Sequence, residues 1–520
     1  MPRPAVASSP GRRDLVVLWA GVAVLLPALL VSAAPISTID LAYGIRAGAL
    51  VLDGDGIQRV DTFTFTAAGM PWLNQQWLAQ VVFAAAHRAG GWPALATLWA
   101  VIVVAIQALL WRAARSMGAD ARWAGVALLL GFVVAAQGIG LRAQVLGLLC
   151  LASLLALVAD RRQHPARLLL AVPLLAAWAN VHGSFPIGLA LLGLAAVQDV
   201  AAHARPRAAI AVLIGASLAT LANPFGVDIW RYVAAIGTDP TITRFVVEWR
   251  RTSPLDLAGA VFYGSVAAVV VLVAARARSP DRPSLTALAW LVGLAFLGAW
   301  AVRAVAWWGV GAAPAVAALL TAGAARRVGS MASAPVSQVG TRVGPSRAPI
   351  ALVAALVLVL VAVQPIWRPS PDGAGIGSRM NDAPAGIARA VGEGAGGRPA
   401  ARVFNAQRWG SWLELATPEV LVFADSRIEL IPVTAWRDYI LVSEGDARWR
   451  EILDAWRVDF LVVALADQPA LAALVRHDAG WQVTHEDADG LVAVRSAPLA
   501  SGRTPPALTF ELRPPRRDPS

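Results

Sequence analysis

The chain contains no lysine: all 44 of its basic residues are arginine. With so much alanine, that reads as the codon bias of a GC-rich genome rather than selection for guanidinium chemistry. Cysteine is nearly absent too. Cys150 stands alone inside an apolar run, so neither a disulfide framework nor a cysteine-based metal site is available. Charged residues make up only 15% of the chain, and Glu248 is the only glutamate before the C-terminal domain. No P-loop, dinucleotide fingerprint or serine-hydrolase elbow stands in a suitable context, which leaves an ATP-driven pump unsupported.

What the chain does have is apolar length. Of 520 residues, 57% are hydrophobic, and the mean hydropathy is +0.60. Several runs reach the ~20 residues that a bilayer crossing needs, which predicts a polytopic α-helical membrane protein. The first, 15–34, follows Arg12 and Arg13 and mimics a secretory signal, but Pro35 disfavours cleavage, so it reads as a retained helix. Others lie at about 92–111, 123–138, 143–159, 167–181, 185–202, 208–222, 256–275, 285–301, 304–322 and 349–367. That makes about eleven transmembrane helices. The stretch 77–90 is apolar but short and carries His87 and Arg88; it is expected not to cross fully.

Charge orients the set. With a cytoplasmic N-terminus, inner segments hold 18 arginines and outer loops hold eight, as the positive-inside rule demands. Residues 368–520 carry 17 arginines against 20 acidic residues, so the excess positive charge belongs to the membrane part, and nucleic acid is not an expected partner. The expected organisation is an N-terminal segment and first helix (1–34), a first outer loop (35–76), a helical bundle (77–322), a flexible cytoplasmic linker (323–348) and a last membrane helix (349–367). A C-terminal α/β domain (368–500), placed outside the membrane, and a disordered tail (501–520) complete it. Strand-like runs at 420–423, 459–463 and 491–494 and a helical stretch at 448–456 support the α/β reading. The expected location is the plasma membrane.

This register concentrates polar residues on one outer face. Asp40 opens the first loop, one turn or so past the first apolar run, where a carboxylate can act as general base or hold a metal. The plainer reading is that it ends a helix or pairs with Arg46. Arg142 and Gln144 lie where two spans meet, and a guanidinium there can grip a phosphate or snorkel to the interface. Asn180 and His182 end a span, Glu248 sits in the loop 223–253, and Arg303 heads a span ending in Trp307-Trp308. Each is a substrate-binding or phosphate-binding candidate, with capping or interfacial anchoring as its alternative. Asp53-Gly54-Asp55 matches a metal-binding Asp-x-Asp pair, but its glycines fit a surface turn better. Ligand spacing does not support a divalent metal, so the cofactor is unassigned.

Together these stretches resemble the C-type (GT-C) glycosyltransferases, polytopic enzymes that use polyprenyl-phosphate sugars. The resemblance rests on Asp40, Gly44-Ile45-Arg46 and Asp61-Thr62-Phe63-Thr64-Phe65-Thr66 in the first loop, and on Gln76-Trp77-Leu78 at its end. Arg142-Ala143-Gln144, Trp178 to Gly183, Asn223-Pro224-Phe225-Gly226 and Glu248-Trp249 continue it along the bundle. In the C-terminal domain Val403-Phe404-Asn405, Trp409-Gly410-Ser411-Trp412 and Phe423-Ala424-Asp425-Ser426-Arg427 complete it.

The resemblance implies Asp40 in the superfamily's catalytic-aspartate role, deprotonating or orienting an acceptor as the sugar leaves its lipid phosphate. The acidic pair of other members is not evident beside Asp40, where Gln75-Gln76 stand instead. The expected partners are a polyprenyl-phosphate-linked sugar and membrane lipid. A non-catalytic binder, flippase or scaffold for lipid-linked glycans is the alternative of another class.

Overall fold

The computed structural model describes residues 12–236, 247–279, 282–331, 348–364 and 380–496. The expected linker beyond Met331 up to residue 347, and the expected tail, lie outside the described residues. The chain divides into two compact units. One comprises residues up to Arg59 together with Trp72–Asn381; the other comprises Val60–Pro71 and the chain from Asp382.

The first unit is helical. α1 (Arg12–Ala33) is followed by β1 (Ile36–Ser37) and α2 (Leu41–Asp53). Then come α3 (Trp77–Ser116), α4 (Ala121–Ala135) and α5 (Ala143–Asp160). A 3-10 turn, Pro165–Leu170, leads into α6 (Ala171–Val181), α7 (Phe185–Ala201) and α8 (Pro206–Ala219). The short α9 (Asp228–Ile236) precedes α10 (Leu257–Ala274), α11 (Leu285–Trp300), α12 (Val305–Met331) and α13 (Ala348–Ala362). A parallel pairing of β1 with β2 (Met380–Asn381) ends this unit.

Among the described residues, six helices are long and apolar enough to cross a membrane, and five shorter apolar helices accompany them. Their outward residues are apolar as well: Val101, Leu130, Leu218, Val271 and Leu358 are all exposed. Such a surface is stable against hydrocarbon and not against water, so the unit is membrane-embedded. Where helices approach closely, small residues allow it. A Cβ at Gly131 of α4 would lie 2.5 Å from the Gly309 carbonyl oxygen of α12, and the reverse holds.

Two findings refine the expected first loop. Residues 41–53 form helix α2, which buries Leu41, Ala42, Ile45 and Ala47. Residues 60–71 belong to the second unit. The stretch 77–90 is the first part of α3, which breaks at Gly90 and at Gly91, whose φ of +61° suits only glycine, with Pro93 just beyond.

The second unit is built on a five-stranded sheet in the order β4-β3-β5-β7-β6. Its strands are β3 (Ala401–Asn405), β4 (Val420–Val422), β5 (Phe460–Ala464), β6 (Trp481–Glu486) and β7 (Gly490–Arg495). β3 pairs in parallel with β4 and β5, while β7 pairs antiparallel with β5 and β6. The central strand β5 reads Phe-Leu-Val-Val-Ala and is buried on both faces, as a strand covered on both sides of its sheet must be. Phe404, Phe423, Trp449 and Leu461 form one core layer, and Val403, Trp409, Val420 and Phe460 the other. The first-loop segment adds to the β4 end: the Phe65 amide donates to the Val422 carbonyl at 3.1 Å, and Thr66 Oγ1 donates to the Phe423 carbonyl.

Candidate functional site

Asp40 directly precedes α2, yet its side chain caps no helical amide. Its carboxylate is therefore available for something else, which weakens the helix-ending reading. Nor does it meet Arg46, which lies six residues on and so about 120° round the helix. Asp40 Oδ2 instead stands 3.5 Å from Arg142 Nη1.

Arg142 is the residue before α5, in an extended conformation. The same Nη1 donates to Glu248 Oε1 at 2.7 Å. The three side chains are open to different degrees: Arg142 is 17% exposed, Asp40 38% and Glu248 43%. Burial opposes charge on the Glu248 carboxyl, but Arg142 and Arg303 nearby hold it below its ordinary value. Only one guanidinium nitrogen of Arg142 is committed to protein partners among the described residues. Arginine offers five N–H donors, so the rest of the fork remains for a ligand.

Arg303 lies in a 3-10 turn, 302–304, just before α12. Its guanidinium rests over the Trp249 ring, 4.8 Å from the centroid. Gln144 sets this turn in place by donating from Nε2 to the Arg303 carbonyl at 3.0 Å.

His182 lies just past α6, and its ring is 5.9 Å from that of Trp307. The Ser184 amide donates to His182 Nδ1 at 3.2 Å, and the Ser184 hydroxyl also meets that nitrogen at 2.8 Å. An accepting Nδ1 leaves the proton on Nε2. Burial first, then the charges of Arg303 and Arg142, push the imidazole below its ordinary pKa, so it acts as a neutral donor. Gly147 of α5 makes room for this turn. A Cβ there would come within 3.0 Å of Trp307, 3.2 Å of Ser184 and 3.3 Å of His182.

The structure thus brings together Asp40, Arg142, Glu248, Arg303, Gln144 and His182. Asn180 plays a different part: it accepts from Trp77 Nε1 at 2.8 Å and donates to the Ala176 and Ala222 carbonyls. Its amide is fully engaged in joining α3, α6 and the turn that follows α8. Asp53 pairs with Arg88 at 2.6 Å, both exposed, beside Gly54 at φ +96°, so that stretch is the surface turn its glycines indicate. Ser184 and Trp307 also border the site, and the sequence gives little sign of either. Ser184 carries no signal beyond lying two residues after His182, and Trp307 is one tryptophan among 21.

The archaeal oligosaccharyltransferase AglB from Archaeoglobus fulgidus, in complex with an inhibitory peptide and a dolichol-phosphate, superposes with TM-score 0.59. It does so at 13% identity over 95% of this chain and 75% of that one. The apo oligosaccharyltransferase of the same organism gives 0.53 at 14% identity, over 87% and 71%. The arabinofuranosyltransferase AftD from Mycobacteria gives 0.52 at 17% identity, over 94% of this chain and 42% of that one. The chain has the C-type glycosyltransferase fold. No family model matches the sequence, and no curated protein matches it significantly.

Among the described residues no group of three His, Cys, Asp or Glu side chains converges. The two carboxylates of the cluster both meet Arg142 rather than an open position between them. The donor set suits an anion held by guanidiniums.

Proposed function

We propose that the protein is an integral-membrane glycosyltransferase that moves a sugar from a polyprenyl-phosphate carrier to an acceptor. One observation carries the reading: a carboxylate with no capping duty, Asp40, stands beside an arginine whose donors are mostly uncommitted. Transfer needs a group to take the acceptor's proton and a cation to take the departing phosphate, and this pair offers both. The structural neighbour AglB, solved with a dolichol-phosphate, supports the class of carrier.

In this reading the acceptor's hydroxyl or amine attacks the anomeric carbon while its proton passes to Asp40. The bond from that carbon to the phosphate oxygen breaks, and its electron pair leaves with the carrier as polyprenyl phosphate. Arg142 and Arg303 stabilise the charge that develops there, and His182 Nε2–H adds one neutral hydrogen bond. Glu248 holds the Arg142 fork in position. Phosphate is already a good leaving group, so orientation and charge stabilisation suffice. The arginine asymmetry supports an extracytoplasmic site.

Mass spectrometry of lipid extracts tests the function. Cells lacking the protein are expected to accumulate a polyprenyl-phosphate sugar that wild-type cells consume, and unchanged lipid-linked sugars would sink the proposal. For orientation, Val433 is exposed in the second unit. Val433→Cys in a Cys150→Ala background should react with an impermeant thiol reagent on intact spheroplasts; labelling only after lysis would reverse the assignment.

A further inference from the structure

A pocket of about 710 Å³ opens at the other end of the helical unit. Chain direction fixes which end that is. α5 starts directly after Arg142 and stops directly before Arg161, so these residues stand roughly 27 Å apart along its axis at ~1.5 Å per residue. α7 runs the same way, from the turn at His182 to Ala201.

The pocket's rim is basic. Arg161, Arg162, His203 and Arg205 line it against one carboxylate, Asp199. Arg161 satisfies that carboxylate, Nε donating to Oδ2 at 2.9 Å and Nη2 to Oδ1 at 3.0 Å. Arg162 stays 3.8 Å away with a side chain 55% exposed. Arg205 makes no ion pair or side-chain hydrogen bond among the described residues. Two positive charges are therefore left over. His203 and Arg205 hold φ of +51° and +52°, a region that side chains rarely adopt, so a fixed bend presents Arg205.

The wall is apolar. Leu168, Leu169, Val172 and Val212 line it, and beyond it Leu170, Ile210 and Ile214 are exposed where lipid would lie. A free anion would use the rim and have no use for the wall. A phospholipid needs both, a cationic seat at the membrane surface and an apolar track below it. The volume lies within the ~300–1,000 Å³ of ligand sites.

We propose that this pocket binds an anionic membrane phospholipid, its headgroup phosphate between Arg162 and Arg205 and its acyl chain along α6 and α8. The site is independent of the transfer chemistry at the other end.

Native mass spectrometry of the delipidated protein in neutral detergent tests it. Wild-type protein is expected to retain phosphatidylglycerol at least about tenfold better than phosphatidylcholine, with no displacement by millimolar inorganic phosphate. The double variant Arg162→Gln/Arg205→Gln should lose about tenfold of that retention. Ala208→Trp, which fills the pocket without altering charge, should do the same with its near-ultraviolet circular dichroism unchanged. Equal retention of phosphatidylcholine, displacement by inorganic phosphate, or undiminished retention in either variant would overturn the proposal.

Discussion

Arg142 and Arg427 are each surrounded by carboxylates, and their surroundings differ in how far solvent reaches them. Arg142 meets Asp40 and Glu248 in a setting where both acids are more than a third exposed. Arg427 meets Asp61 at 2.7 Å, Glu414 at 3.6 Å and Asp425, and all four side chains are sealed from solvent, none more than 2% exposed. Three members of the sealed cluster are also braced. Asp61 accepts from the Thr64 hydroxyl at 2.6 Å, Asp425 accepts from the Arg427 amide at 2.7 Å, and the Phe63 ring lies under the guanidinium. Nothing can enter such a cluster without unfolding it. The open one has donors to offer and acids that can trade partners. The same residue types are sealed in one place and open to solvent in the other, and on the proposed reading only the open set takes part in chemistry.

The comparison breaks most visibly at Asp40. Asp40→Asn keeps shape and hydrogen-bonding capacity while removing the charge, and a positioned general base contributes about a hundred- to ten-thousand-fold. Turnover is expected to fall by that order with thermal stability unchanged. Near-normal transfer would remove Asp40 from the chemistry. Asp53→Asn, in the surface turn, is the control and should have little effect.

At the sealed cluster the expectation inverts. Arg427→Gln leaves Asp61 and Asp425 buried without their cation, and breaking a buried ion pair costs about 3–5 kcal/mol. The second unit should unfold at markedly lower temperature or denaturant, read by tryptophan fluorescence. A variant that is stable but inactive would mean that the sealed cluster takes part in catalysis.

Much of this was legible in the sequence, and what was not shares one cause. The apolar runs mark the helices because a bilayer enforces length, so 143–159 emerges as Ala143–Asp160 and 285–301 as Leu285–Trp300. Central strand β5 announces itself by five buried apolar residues, whereas β6 alternates with Gln482 and Thr484 and escaped notice. At the site, Asp40, Arg142 and Glu248 each stood out singly, but their contact is not local in sequence. The same holds for Asp61 and Arg427, which lie in two widely separated stretches and meet in one buried pair. Asn180 stands out in the sequence only by its position at the end of a span; its partners Trp77 and Ala222 come from other elements.

A smaller effect is expected at Arg142. Arg142→Gln removes a charge-assisted phosphate contact worth about 1.5–3 kcal/mol, or roughly ten- to a hundred-fold in donor affinity. Because the cluster is open, the protein should remain inserted and folded, with the loss appearing in donor dependence. Unchanged donor binding would make Arg142 a positioning residue for Asp40 alone.

The mildest test concerns Glu414. Burial first, then the Asp425 charge, raise its carboxyl well above the ordinary 4.5, so the fold favours the protonated form. A raised acid contributes stability that is fully present below its unfolded pKa and lost as pH rises through the folded one. Glu414→Gln mimics the protonated state and cannot titrate. Its melting temperature relative to wild type should therefore climb as pH rises above about 4.5, at no more than about 1.4 kcal/mol per pH unit. Arg427 opposes that trend by favouring the charged carboxylate at 3.6 Å, which is why the effect ranks last. A difference that shrinks with rising pH would mean that Glu414 is ionised in the fold and that Arg427 balances it, and the sealed cluster would then hold three carboxylate charges rather than two.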